Sequence, residues 1–173
     1  MDNERLKACI GRLREGDDAA LEELYEDMKT PVFTIAFRIV RDREQAEDIL
    51  HDLFLKLYQS PPDSSVKNPR AWIFQAAHNL SLNSLRRPKP AELREDEPGP
   101  GDPVADAVAL RLDMEEGLRQ LALVETEIVS YHVYGELKFR EIAELLNLPL
   151  GTVLWRYRQA IHRLQTYFKG GRP

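Results

Sequence analysis

Apolar residues in this chain recur at steps of three and four almost throughout, the spacing of α-helices that each bury one face. Leu21, Leu24, Tyr25 and Met28 form one stripe behind Asp17 and Asp18, which suit a helix N-cap. Thr30-Pro31 permits a new start or a kink, and Val32, Ile35, Ala36 and Ile39 then carry the spacing on. Asp42 and Gln45 have capping-box spacing. They open a helix with Ala46, Ile49, Leu50, Leu53, Phe54 and Leu57 inward and Glu44, Glu47, Asp48, His51 and Asp52 outward. QSPPDSSVKNP reads as a loop. Pro69 begins the next helix, with Ile73, Ala76, Ala77, Leu80 and Ser84 toward the core. Trp72, Phe74, Gln75, His78, Asn79, Asn83, Arg86 and Arg87 lie at its edges or outside. Strand alternation is nearly absent, so the pattern predicts an all-α fold.

The stretch from Phe139 to Arg163 has a more particular pattern. Phe139, Ile142, Ala143, Leu145 and Leu146 make a short stripe that Asn147 ends, and Pro149 disfavours helical dihedrals at Leu148. Gly151 or Thr152 starts a second helix, Thr152 as a hydroxyl cap. Val153, Tyr157, Ala160, Ile161, Leu164 and Phe168 form its buried face. The opposite arc shows Thr152, Trp155, Arg156, Arg158, Gln159 and His162. From Leu145 onward there is no Asp or Glu, so a polyanion meets no like charge there. Two helices about a tight break with a basic open face suggest a helix-turn-helix, in which Arg grips guanine and Gln pairs with adenine. An amphipathic pair in an ordinary bundle has the same spacing, and the motif alone does not separate the two.

Charge sharpens the choice. The chain of 173 residues carries a formal net charge of -5, whereas a free DNA-binding protein usually has excess Lys and Arg to replace counterions. The acidity is concentrated in PKPAELREDEPGPGDPVAD, residues 88–106, with five prolines, two glycines and a local net of -4. That composition reads as an extended linker. It divides the chain into a block at 1–87, a linker at 88–107 and a block at 108–173. A weakly basic second block in an acidic chain points to a subunit whose larger partner supplies the electrostatics.

The helix from Pro69 combines aromatic, amide and terminal arginine side chains, which suit splayed single-stranded bases. Rings and guanidinium planes stack on bases, amides reach base edges, and arginines hold phosphates. The plainer account is that Trp72 is a core aromatic, that Asn79 and Asn83 are solvated, and that Arg86 and Arg87 answer the helix dipole. Cys9, the only cysteine, excludes an internal disulfide and fits a reducing compartment. The charged start is unlike a signal peptide, and no apolar run approaches a bilayer span. These features place the chain in the cytoplasm without stable membrane insertion. The four histidines lack paired metal-ligand spacing, and neither a phosphate-cradling loop nor a nucleophile elbow is present. No enzyme, cofactor or metal is expected.

AEDILHDLF (46–54), NPRAWIFQAAHNLSLNSLRR (68–87) and FREIAELLNLPLGTVLWRYRQAIHRL (139–164), in this order and around a variable linker, resemble the extracytoplasmic-function group of bacterial RNA polymerase sigma factors. The resemblance implies a region-2 domain in the first block, whose Glu47, Asp48, His51 and Asp52 dock on the polymerase core. It places Trp72, Phe74, Asn79 and Asn83 near the unpaired strand of the −10 element, and Arg86 and Arg87 on the adjoining duplex. The second block is implied to be region 4, reading the −35 element through Thr152, Trp155, Arg156, Arg158 and Gln159. The linker is implied to thread the polymerase channels, and an anti-sigma factor to clamp both domains. The rivals are a stand-alone regulator with a sensing or dimerising first block, and a helical protein-interaction adaptor.

The chain departs from that family pattern in places. His51 stands where Gln is usual, Asn83 where Asp is common, Leu154 and Trp155 where Lys or Arg and Ser are frequent, and Gln159 where Arg is frequent. Fewer cations on the reading arc predict a −35 preference less G-rich and more tolerant of A opposite Gln159. Promoters selected from a random library should show it, and Gln159→Arg should restore G. An unchanged G-rich optimum in both proteins contradicts the expectation.

Overall fold

The computed structural model describes residues 2–86 and 116–170. Among these the chain is all-helical. The first block comprises α1 (Asn3–Arg14), α2 (Asp18–Val40), α3 (Arg43–Gln59) and α4 (Pro69–Arg86). The second comprises α5 (Leu123–Val133), α6 (Phe139–Leu146) and α7 (Leu150–Lys169), preceded by a helical turn at 116–119. The expected linker at 88–107 and the expected start of the second block at 108 lie outside the described residues.

Local chemistry explains the helix boundaries. Asp17 caps α2 by accepting from the Ala19 amide, and Asp42 caps α3 by accepting from the Gln45 amide at 3.0 Å. The Gln45 side chain differs from a capping box: its amide donates to the Asp42 carboxylate at 2.8 Å instead of returning to the cap's backbone. Pro31 lies inside α2, which runs through it as one helix of 23 residues. Val32, Ile35, Ala36 and Ile39 beyond the proline are as buried as Leu24 and Met28 before it. Burial of that continuous stripe outweighs the missing N–H.

α2 is the central helix, packed on α1, α3 and α4 and also on α5 of the second block. A single apolar cluster therefore runs from Leu6, Leu24, Met28 and Leu53 through Ile73 and Phe74 to Ile128, Tyr131, Ile142 and Val153. A smaller cluster of Leu118, Leu121, Val129, Ala160 and Leu164 fastens α7 to α5. Arg163 adds an ion pair to the buried Glu125 at 2.7 Å.

Removing the proline from α2 isolates its cost. Pro31→Ala should raise unfolding stability by about 1–3 kcal/mol, because alanine is favoured in a helix interior and supplies the missing donor. Urea denaturation measures it; a loss of stability shows that the proline shapes α2 for its neighbours.

Candidate nucleic-acid interface

Two open surfaces carry the polar and aromatic residues singled out in the sequence. On the second block, α6 ends at Asn147, whose φ of 52° is the left-handed conformation that asparagine tolerates at a helix C-cap. The Leu148 amide returns to the Ala143 carbonyl at 2.9 Å, closing the turn. Next, α7 starts at Leu150 with Pro149 as its N-cap, so Thr152 lies in the first turn and is not the cap. Pro149 is suited to that place because the first amides of a helix have no intrahelical acceptor.

The helix pair is held from behind by rings. His132 stacks on Phe139 at 4.4 Å between centroids, and Tyr157 meets both edge-on at 5.2 and 4.8 Å. The other side of α7 is open: Trp155 is 57% exposed and Arg158 is exposed. Thr152, Arg156 and Gln159 are half-buried along the same arc. Phe168, expected inside, is 45% exposed, with its ring beside Gly117 near the end of α7.

On the first block, Glu47, Asp48, His51 and Asp52 all lie exposed on α3, with the exposed Leu55 and Tyr58 extending that face. Around the corner a shallow groove between α3 and α4 is lined by Lys56, Trp72, Gln75, Ala76, Asn79, Leu80 and Asn83. Asn79 and Asn83 are exposed at its rim, Trp72 is half-buried in its wall, and Arg86 is exposed at the end of α4. Three of the four residues expected near an unpaired strand therefore share one groove. Arg87 lies outside the described residues.

Phe74 does not join them. It is fully buried, facing the second block, with its ring edge-on to Tyr131 at 6.2 Å. The expectation that Phe74 and His78 lie at the outside of α4 is corrected: they lie outside the first bundle's own core, and α5 covers them. Sequence periodicity sees the bundle but not the second cover.

That cover has polar contacts of its own. His78 Nδ1 is 2.9 Å from the Tyr131 hydroxyl and 3.4 Å from Glu127 Oε1, all three residues being buried. Burial pushes the Glu127 carboxyl up to about 7 and lowers the His78 imidazole, since each loses hydration of its charged form. Tyr131 is raised by burial and then by the charge of Glu127. Arg70, also buried, donates to the Gly135 carbonyl at 2.8 Å and reaches Glu136 at 3.2 Å. Asn68 donates to Glu141 at 2.6 Å, and Arg38 lies over the Tyr134 ring at 5.3 Å. Gly135 is demanded by geometry: a Cβ there would meet the Tyr131 carbonyl oxygen at 2.5 Å. The sequence reading assigned no role to Arg70, Glu127, Tyr131 or Gly135. The run TEIVSYHVYG, which mixes apolar and polar residues around the whole helix, was the one signal for Glu127, Tyr131 and Gly135, and Arg70 had none.

These surfaces define an all-helical protein with a helix-turn-helix in its second half. Comparison with known proteins makes the class specific. Residues 24–90 match the sigma-70 region 2 family model. The extracytoplasmic-function (ECF) RNA polymerase sigma factor SigK of Mycobacterium bovis (strain BCG) is 26% identical over 171 residues, spanning 92% of this chain and 91% of that protein. SigK of Mycobacterium sp. strain JLS is likewise 26% identical, over 92% and 89% of the two chains. The fold is shared with CnrH in its complex with the cytosolic domain of CnrY (TM-score 0.69, 17% identity, 97% and 99% covered). It is also shared with the sigma factor RpoE from Bartonella quintana in complex with the anti-sigma factor NepR (TM-score 0.62, 18% identity, 87% and 97% covered). The chain is thus similar to extracytoplasmic-function sigma factors over 92% of its length, with the sigma-70 region 2 match confined to residues 24–90. That family consists of initiation factors, not enzymes. No helix among the described residues is long and apolar enough to cross a membrane.

The buried pair has a pH signature. Glu127 is raised, so its contribution is full below the ordinary carboxylate value and is lost as pH rises through about 7. His78 is lowered, so its contribution is full above the ordinary 6.5 and is lost as pH falls. Below pH 6.5 the two oppose; above it Glu127 acts alone. Relative to Glu127→Gln, the natural chain should lose about 1–3 kcal/mol between pH 6 and pH 8. Parallel urea curves at both pH values check this, and a constant difference contradicts it.

Proposed function

We propose that this chain is a sigma factor that carries bacterial core RNA polymerase to its promoters, acting in the cytoplasm. Two heads share the work: residues 1–87 bind core and the unpaired −10 strand, and residues 108–173 read the −35 duplex. The observation that carries the reading is the presence, in one chain, of an open recognition helix, α7, and a separate amide- and tryptophan-lined groove on α4. A stand-alone regulator has use for the first surface but not the second.

Each surface suits one form of nucleic acid. A helix enters the major groove of duplex DNA, where Arg158, Gln159 and Trp155 meet base edges and methyl groups. The α4 groove admits a base only after it has left the stack, and there Trp72 offers a ring and Asn79 and Asn83 offer amides. The acidic face of α3, with Glu47, Asp48, His51 and Asp52, repels DNA and suits the polymerase instead. Core then supplies the nonspecific affinity that a chain of net charge -5 lacks, and linkage raises the effective concentration of each weakly binding head. An anti-sigma factor is the expected regulator, covering the surfaces that core needs. No cofactor takes part.

Run-off transcription with sigma-free core and a genomic template pool tests the proposal. The protein should create new start sites. Arg158→Ala should weaken promoters that depend on the upstream element by roughly 5- to 100-fold, the worth of one base-reading arginine. Asn79→Ala should slow strand opening more than initial recruitment. If the protein neither associates with core nor alters initiation anywhere, the proposal fails.

A further inference from the structure

We propose that Trp155 makes this protein a reader of thymine in the upstream duplex element, by laying its indole against the C5 methyl group and donating its N–H to the O4 beside it. The inference rests on the promoter-reading function proposed above and names the base that the open arc of α7 selects.

Trp155 stands where base edges arrive. Gly151, Trp155, Arg158 and His162 recur at steps of three and four and form one exposed stripe along α7. The stripe lies opposite Val153, Ala160 and Leu164, which are buried. His132, Phe139 and Tyr157 contact one another behind the helix, whereas the indole is 57% exposed and has no ring partner among the described residues. Helical side chains lean toward the N-terminus of their helix, so the place that Trp155 leans over is that of Gly151. Nothing lies within 4 Å of where a Cβ on Gly151 would stand. A slot is left open between the ring and the first turn of α7, the end of a recognition helix that meets bases. Arg158 flanks the ring and no acid occurs from Leu145 onward, so a polyanion approaches this stripe unopposed and duplex DNA is the occupant that charge favours.

Thymine suits an indole in that slot better than the other bases do. In the major groove it shows an O4 acceptor beside a methyl group. Indole is apolar over both faces and carries one donor, its N–H, and no acceptor. Cytosine sets an amino donor where thymine has O4 and lacks the methyl, so it fails on both counts. The purines carry no methyl, and guanine's paired acceptors suit the fork of Arg158 instead. The next reader along the helix agrees with this assignment. Gln159 lies one turn beyond Trp155, about 5.4 Å along the axis, while base pairs follow one another at about 3.4 Å. The two side chains therefore reach neighbouring pairs, and an adenine opposite Gln159 with a thymine under Trp155 gives the upstream element an A·T centre. Burying one methyl group changes an equilibrium constant by about fourfold, which makes the contact a measurable determinant.

Deoxyuridine isolates the methyl group, since it keeps every hydrogen-bonding group of thymine. Promoters found in the genomic run-off are synthesised twice, with thymine or with deoxyuridine in the upstream element alone, and transcribed by core loaded with the full chain. The protein concentration for half-maximal transcript should be about 3- to 5-fold higher on the deoxyuridine template for each methyl under the ring. Trp155→Phe, which keeps an apolar ring, should keep that difference. Trp155→Ala should use the two templates alike, at unchanged helix content. Equal use of both templates by the natural chain overturns the proposal, as does a difference that survives in Trp155→Ala. A Trp155→Ala defect of the same size on promoters that do not depend on the upstream element also overturns it, because the ring then touches the polymerase. If the natural chain yields no transcript even from thymine templates, the sigma-factor reading fails and the proposal falls with it. Transcripts that ignore the methyl group leave that reading intact and sink the proposal alone.

Discussion

The Phe74 ring set edge-on against Tyr131 is the contact on which the arrangement of this molecule depends. Both residues are fully buried, yet neither belongs to the core of its own block alone. Phe74 comes from α4 of the first block and Tyr131 from α5 of the second. Their meeting joins the cores of two helical blocks into one cluster. The burial of a pair of large rings is of the order of several kcal/mol, enough to hold two small bodies together. It is not so much that a larger binding partner is unable to compete. Around it lie further apolar residues, Ile128, Ile142 and Val153, and polar pairs such as Arg70 with the Gly135 carbonyl.

The electrostatics follow a division of the same kind. Acidic side chains hold the open face of α3, while α7 carries cations and no acid at all. A single chain thereby presents one surface that DNA avoids and another that it tolerates, and the acidic stretch at 88–106 keeps the two apart in sequence. Net charge read alone argues against nucleic-acid binding. Its distribution argues for a protein that borrows affinity from something larger.

Much of this was legible in the order of residues. The spacing of Leu24, Met28, Leu53 and Ile73 announced helices and their inward faces, and Asp17, Asp42, Asn147 and Pro149 marked where they start and stop. The helix-turn-helix was readable because its break is built from residues with strong local preferences. Trp155 and Arg158 were readable as surface because the opposite side of α7 was already assigned to the core. The failures have different causes. Thr152 was taken as a cap because a hydroxyl usually is one, but the helix begins earlier on a proline that needs no cap. Phe74 and His78 were taken as surface because periodicity describes the one bundle to which a helix belongs, and says nothing of a second body that covers its back.

The residue order by itself determined the helices, most of their ends, the acidic and basic faces and the open arc of α7. All of these arise from local preference and from side chains a few positions apart. The tertiary structure alone decided that α4 is buried on two sides, that Arg70 meets the carbonyl of Gly135, and that Glu127 and His78 share a site where neither charge is welcome. Those contacts join residues 49 to 65 positions apart in the chain. No periodicity spans such a distance, and only the packing of one folded block on the other brings them together.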